Sequence, residues 1–215
     1  MGLYTPAQAA YMARVPVQTI SRWVHGSGQG APAIRPQLSK DAEQTVTFLD
    51  FVQTMAIRAI RKEKKVPLAK IREFVDHVEH KFGIKYPFAR PHTTYLFDDE
   101  IVLRHRGDII QITGQYKDQD LIRPVVEIYM SDLHFVDDLA AFYIPMTGTQ
   151  SRHILIDPHK RMGHPIVMPC GYSVQAILDA VMAEGTAENA AKAGGIDLED
   201  VQLAQKYDDY LASIV

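Results

Sequence analysis

The stretch LYTPAQAAYMARVPVQTISRWVH, residues 3–25, decides how the rest of the chain is read. Thr5 followed by Pro6 is an N-cap ahead of a residue preorganised for the first helical turn, so a helix should begin there. Ala9 and Ala10 are small and should face inward, and Val15 sits at a break. From Pro16 a second short helix places Ile20, Trp23 and Val24 at i, i+3 and i+4, an inward apolar stripe. The expectation is two helices joined by a tight turn, with Gln18, Thr19, Ser21 and Arg22 facing outward from the second. Gln and Arg are the side chains best shaped for adenine and guanine edges in the major groove, so these four are the candidate DNA-reading residues.

Working outward, SGQGAPAIRPQLS (27–39) is rich in Gly and Pro around a short apolar centre at Ala33 and Ile34, which suits a wing or hairpin loop. Arg35 would lie on it, and with His25 is expected to reach phosphates or the adjacent minor groove. Residues 45–65 show helical spacing through Phe48, Phe51, Val52, Met55, Ala56, Ala59 and Ile60, and end in RKEKK, which reads as a solvated helix end. Pro67 opens another helix, with Leu68, Ile71, Phe74, Val75, Val78 and Phe82 on one face and Gly83 as the stop. The first stretch resembles the helix-turn-helix of MerR-like regulators at Thr5, Ala9, Ala10, Val15, Thr19, Ile20, Arg22 and Trp23. Pro16 departs from the Ser or Thr cap usual there. The order of helix-turn-helix, wing and two helices is also MerR-like.

Pro87 and Pro91 mark a boundary within 84–95, dividing a DNA-binding domain (1–90) from a second part (91–215) whose helical portion covers about 153–215. Beyond the boundary the period changes. TYLFDDEIVLRHRGDIIQIT reads as short strands broken at Asp98-Asp99 and Arg106-Gly107-Asp108. A helix around 120–130 leads to a hairpin turning at Asp137-Asp138, and together the strands suggest a small mixed sheet. From Val174 the pattern is helical again, with Thr186 and Asp197 as caps and Gly185, Gly194 and Gly195 at helix ends.

HILIDPHKRMGHPIVMPCGYSV (153–174) gathers three histidines, an aspartate and the single cysteine of the chain. A metal site needs three or four converging ligands, and a nucleophilic cysteine needs a histidine held beside it. The spacing has no HExxH, CxxC or Cys/His doublet, and Pro158 and Pro165 separate the polar residues. The Ile, Pro and Gly residues account for more of the segment, as two short strands around a loop. From Ile156 to Tyr207 the chain resembles a short domain of unknown function found in bacterial toxin-antitoxin operons. The matching positions are Ile156, Asp157, Pro158, Gly163, Pro165, Val167, Val174, Ile177, Leu178, Glu184, Gly185, Thr186, Glu188, Leu198, Asp200, Val201, Ala204 and Tyr207, while Pro169-Cys170 stands where the family has Gly-Thr. Over nearly its whole length the chain is similar to the longer VapB-type antitoxins. The resemblance implies an antitoxin of a type II system that neutralises a PIN-like ribonuclease toxin and represses its own operon.

Charge is consistent with such a division of labour. Residues 1–90 carry 14 Lys+Arg and 7 Asp+Glu, a balance of +7, and residues 91–215 carry 9 and 19, a balance of −10. A basic part suits a polyanion, whereas the acidic second helix of the C-terminal pattern would be repelled by phosphates. Glu199, Asp200, Tyr207 and Asp208 are therefore the candidate toxin-binding residues, with self-association the competing use of that surface. The expectation is an α+β protein with a winged helix-turn-helix, a small mixed sheet and a three-helix C-terminal domain. Its operators would be two-fold symmetric, so a homodimer is expected, with the apolar face of 68–82 as a contact. Nearly half the residues are apolar at 47%, and no leader or membrane-length apolar run is seen, which points to a cytoplasmic protein. No metal, cofactor or catalytic residue is expected. The rival reading is a MerR-like one-component regulator that senses a small ligand.

Overall fold

The computed structural model describes residues 2–26, 30–38, 45–91, 93–97, 100–105, 108–111 and 131–213, apart from the side chains of 63–64 and 93–111. The fold is α+β, with seven α-helices among the described residues. The chain forms two compact units, Tyr4–Ala140 and Ala141–Val215, the latter with Met1–Leu3.

The chain opens with β1 (Leu3–Tyr4), α1 (Pro6–Ala13) and α2 (Val17–Val24). A two-residue strand β2 (Val46–Thr47) pairs with β1 and runs directly into α3 (Phe48–Lys64). Thr47 and Asp50 cap this helix reciprocally: the Asp50 amide donates to Thr47 Oγ1 at 3.2 Å and the Thr47 amide to Asp50 Oδ2 at 3.1 Å. The first half of α3 is enclosed on every side, because Leu49, Asp50, Gln53, Thr54 and Ile57 are buried along with the expected stripe. Helix α4 (Leu68–Phe82) buries Ile71, Phe74, Val75 and Val78. Phe74 stacks on Phe88 at 5.4 Å between centroids. That face is therefore used inside the unit, which removes it as the expected dimer contact. Phe82, expected on the same face, is 43% exposed. Pro87, Phe88 and Ala89, in the proline-marked segment, form a buried 3-10 turn.

Strands β3 (Thr93–Phe97), β4 (Glu100–His105) and β5 (Asp108–Gln111) make an antiparallel sheet, pairing Phe97 with Glu100 and His105 with Asp108. The turn residues Asp98, Asp99, Arg106 and Gly107 and the helix expected around 120–130 lie outside the described residues. A four-stranded sheet follows in the order β6 (Leu133–Val136), β7 (Leu139–Thr147), β8 (His153–Ile156), β9 (Ile166–Met168). Asp137 and Asp138 connect β6 to β7 with φ of 50° and 60°, the two positive angles a tight hairpin turn requires. The registers given by β3–β5 and β7–β9 are antiparallel, so the expected mixed sheet is replaced by two small antiparallel ones.

The second unit ends in α5 (Val174–Glu184), α6 (Ala187–Gly194) and α7 (Leu198–Ala212). Ser173 and Thr186 cap α5 and α6 by accepting from the Ala176 and Asn189 amides at 3.2 and 3.1 Å. Gly185 and Gly195 close them in the left-handed conformation. Ile154 and Val167 from the sheet meet Ile177, Val201, Ala204, Tyr207 and Leu211 in one core. Among the described residues no helix is long and apolar enough to cross a membrane.

Candidate nucleic-acid and partner interfaces

The N-terminal helix pair is built as its sequence suggests. Thr5 Oγ1 accepts from the Gln8 amide at 3.2 Å, and Gln8 Oε1 accepts from the Thr5 amide at 2.9 Å. The helix stops at Arg14 (φ 55°), and Pro16 then opens α2 without a side-chain cap. Ala9, Ala10 and Ala13 are buried on α1, and Ile20, Trp23 and Val24 on α2. Gly26 (φ 88°) ends the element, where an added Cβ would lie 2.7 Å from the Gly30 carbonyl oxygen. The chain then returns to α2, the Ala33 amide donating to the Trp23 carbonyl at 2.7 Å.

This leaves Gln18 and Arg22 exposed and Thr19 and Ser21 half-buried. The two expected phosphate contacts are placed differently. His25 Nε2 is enclosed without a hydrogen-bond partner among the described residues, and the ring's charge acts on buried Asp50. Arg35 is laid against α4, with Nε 3.1 Å from Glu79 Oε2, Nη2 3.4 Å from Asp76 Oδ1, and the His80 ring nitrogens within 3.2 Å. Burial, more than any other influence, raises the Asp50 carboxyl above the usual carboxylate range, against hydrogen bonds from Thr47 and Gln37 and the charge of His25.

The second unit is organised by Arg152, a residue the sequence reading passed over. Its Nε donates to Asp200 Oδ1 at 2.9 Å, its Nη2 to Asp197 Oδ2, and its Nη1 to Gln150 Oε1 at 2.8 Å. Burial works against the guanidinium charge, yet Asp200 and Asp197 outweigh it and hold the pKa above the ordinary arginine value. Asp197 occupies the N-cap position of α7, but its carboxylate turns to Arg152 and makes no cap hydrogen bond. Asp200 is 2% exposed and Tyr207 1%, so both are spent inside the unit. Of the expected partner-facing residues, Glu199 is exposed and Asp208 half-buried, and Asp209 and Tyr210 join them at the surface.

In 153–174 the strand-and-loop reading is the one seen. Ile154, Ile156, Ile166 and Val167 are buried, and Ile154 pairs with Val167 across β8 and β9. Asp157 Oδ1 accepts from the His159 amide at 2.8 Å, an aspartate-initiated turn, and the His159 side chain is 80% exposed. Cys170 donates to the Val167 carbonyl at 3.3 Å, and burial pushes its thiol up, away from the thiolate a nucleophile needs. Among the described residues no three His, Cys, Asp or Glu side chains converge as a metal site would require.

No protein-family model matches the chain. Two proteins of Mycobacterium tuberculosis are similar to it over most of their length. One, named "Putative antitoxin VapB45", is 25% identical over 90% of this chain and 88% of its own. The other, the uncharacterized protein Rv2308, is 26% identical over 95% of this chain and 89% of its own. The fold is similar to the crystal structure of Rv2018 from the same organism, with a TM-score of 0.65, 20% identity, and coverage of 95% of this chain and 98% of that one.

Proposed function

We propose that the protein is an antitoxin of a type II toxin-antitoxin system, binding a PIN-like ribonuclease through its C-terminal helices and its own operator through its N-terminal helix pair. The observation that carries the reading is the similarity to "Putative antitoxin VapB45", which runs through both compact units rather than one. Charge supports the division: the part up to residue 90 is basic by +7 and the remainder acidic by −10. In this reading Gln18, Thr19, Ser21 and Arg22 face the bases. Arg35 ties the segment after α2 to α4 through Glu79 and Asp76. Glu199 and Asp208, with neighbouring Asp209, offer negative charge to a ribonuclease whose RNA channel is basic, and Asp200 and Tyr207 fix the helix that presents them. The protein acts by binding, as a dimer on a two-fold symmetric operator, without catalysis or cofactor.

The test is co-expression with the product of an adjacent gene for a small PIN-like protein, followed by affinity capture and a ribonuclease assay. Capture with silenced cleavage is the expected result. Absence of complex, with cleavage unchanged by excess protein, would contradict the reading. The rival, a one-component regulator responding to a small ligand, would show promoter binding without any such partner.

A further inference from the structure

A cleft of about 200 Å³ opens in the first unit between α3, α4 and the segments carrying Arg35 and Lys85. Its wall includes Arg35, Gln53, Val75, Glu79, Lys85 and Tyr86. Gln53 is the informative member. Its side chain sits on the enclosed half of α3, 1% exposed, and Nε2 is sealed from solvent with no hydrogen-bond acceptor among the described residues. A buried amide donor without a partner is costly, so native proteins supply an acceptor from the chain, from water or from a ligand.

The surrounding chemistry narrows what that acceptor is. Glu79, the one carboxylate on this wall, is neutralised by Arg35 Nε at 3.1 Å. Arg35 is shared between Glu79 and Asp76, whereas Lys85, also on the wall, makes no ion pair among the described residues and keeps its ammonium available. Tyr86 is held in the left-handed region at φ 55°, and burial first, then the negative charges of Asp50 and Glu79, keep its phenol protonated and able to donate. Gln53, Tyr86, Lys85 and Arg35, which all carry hydrogen-bond donors, thus line one cleft. At about 200 Å³ the cavity suits a small ligand rather than a peptide or a base.

We propose that this cleft binds a small oxyanion, a carboxylate or a phosphate monoester, with its oxygens on Gln53 Nε2 and Lys85 Nζ and its remaining edge against Arg35 and Tyr86. The cleft shares no lining residue with the sets offered above to DNA bases and to a ribonuclease. Its existence does not rest on either assignment. Should the operator reading hold, Arg35 is the residue through which occupancy reaches the segment beside α2.

The test is a titration of the full chain, labelled for side-chain amide NMR, with inorganic phosphate and separately with malonate, against sodium chloride of equal ionic strength. A saturable shift of the Gln53 amide pair with one oxyanion and not with chloride is expected. The stronger of the two titrations distinguishes a phosphate-type from a carboxylate-type ligand. Lys85→Ala, an exposed change that leaves the backbone spectrum in place, should weaken the titration about tenfold, as loss of one charged hydrogen bond does. Gln53→Leu should abolish it; if that variant fails to fold, the Lys85→Ala titration decides. Gln53 resonances unmoved by both oxyanions, or moved equally by chloride, would overturn the proposal. So would a Lys85→Ala titration identical to wild type.

Discussion

The two ends of the chain use similar local shapes with opposite surfaces. At the N-terminus, α1 and α2 meet at a left-handed Arg14, and the exposed positions of α2 include Gln18 and Arg22. At the C-terminus, α6 and α7 meet at a left-handed Gly195, and the exposed positions of α7 include Glu199 and Asp209. Shape alone would assign both pairs to DNA. Surface charge separates them, because a phosphate backbone attracts the first and repels the second. The interiors differ as well. The first pair is closed by alanines under Ile20 and Trp23, whereas the second hangs on a buried ion cluster centred on Arg152.

The largest effect that would sharpen this contrast is expected from Asp200→Ala. It leaves the buried Arg152 guanidinium with Gln150 and a single carboxylate, the exposed Asp197, and such a break costs about 3 kcal/mol. Chemical denaturation should show the loss in the C-terminal unit, with the N-terminal unit unchanged. Next, Arg22→Ala should weaken binding to the protein's own promoter by about 1–3 kcal/mol and relax base preference, measured by gel shift over a salt series. Wild-type binding that ignores salt would break the contrast at its first end. Reversing charge at the other end, with Glu199→Lys and Asp209→Lys together, should slow association with a basic ribonuclease and leave the fold intact, as surface charges chiefly set on-rates.

Two smaller effects follow from buried groups. Asp50 keeps its proton to higher pH in the folded chain than in the unfolded one, because burial raises its carboxyl. Its contribution is therefore complete below the ordinary carboxylate range and is lost as pH rises through the raised value. Asp50→Asn should flatten that part of a pH series of denaturation curves. Cys170→Ser should leave fold and binding intact, and the wild-type thiol should react slowly with a disulfide reagent at neutral pH.

Much of the fold was legible because it is written in short-range signals. Thr5, Thr186, Gly83, Gly185 and Gly195 act within a few residues, and each sits at the helix end its type suggests. The carboxylate partners of Arg152 lie 45 and 48 residues away, so no charge near it announced a role, and Asp197 looked like a cap for the same reason. Asp200 and Tyr207 were misjudged as surface when acidity was read ahead of period: Asp200, Ala204, Tyr207 and Leu211 recur at helical spacing, and all four are buried. On α3 an apolar count could not see that Asp50, Gln53 and Thr54 are enclosed, which is why the cleft had no signal in the sequence. Arg35 read as a free cation because Asp76 and Glu79 are remote in sequence and close in space.

The central claim is that the two ends serve two partners independently, and a paired assay of Arg22→Ala and Glu199→Lys/Asp209→Lys tests it most directly. Each variant is titrated into a ribonuclease assay of the co-expressed PIN-like protein and into a promoter gel shift. The account predicts that Arg22→Ala silences cleavage as wild type does but loses the shifted band, and that the charge-reversed variant keeps the band but loses silencing. Loss of both activities in either variant, or cleavage that wild-type protein never suppresses, would contradict it.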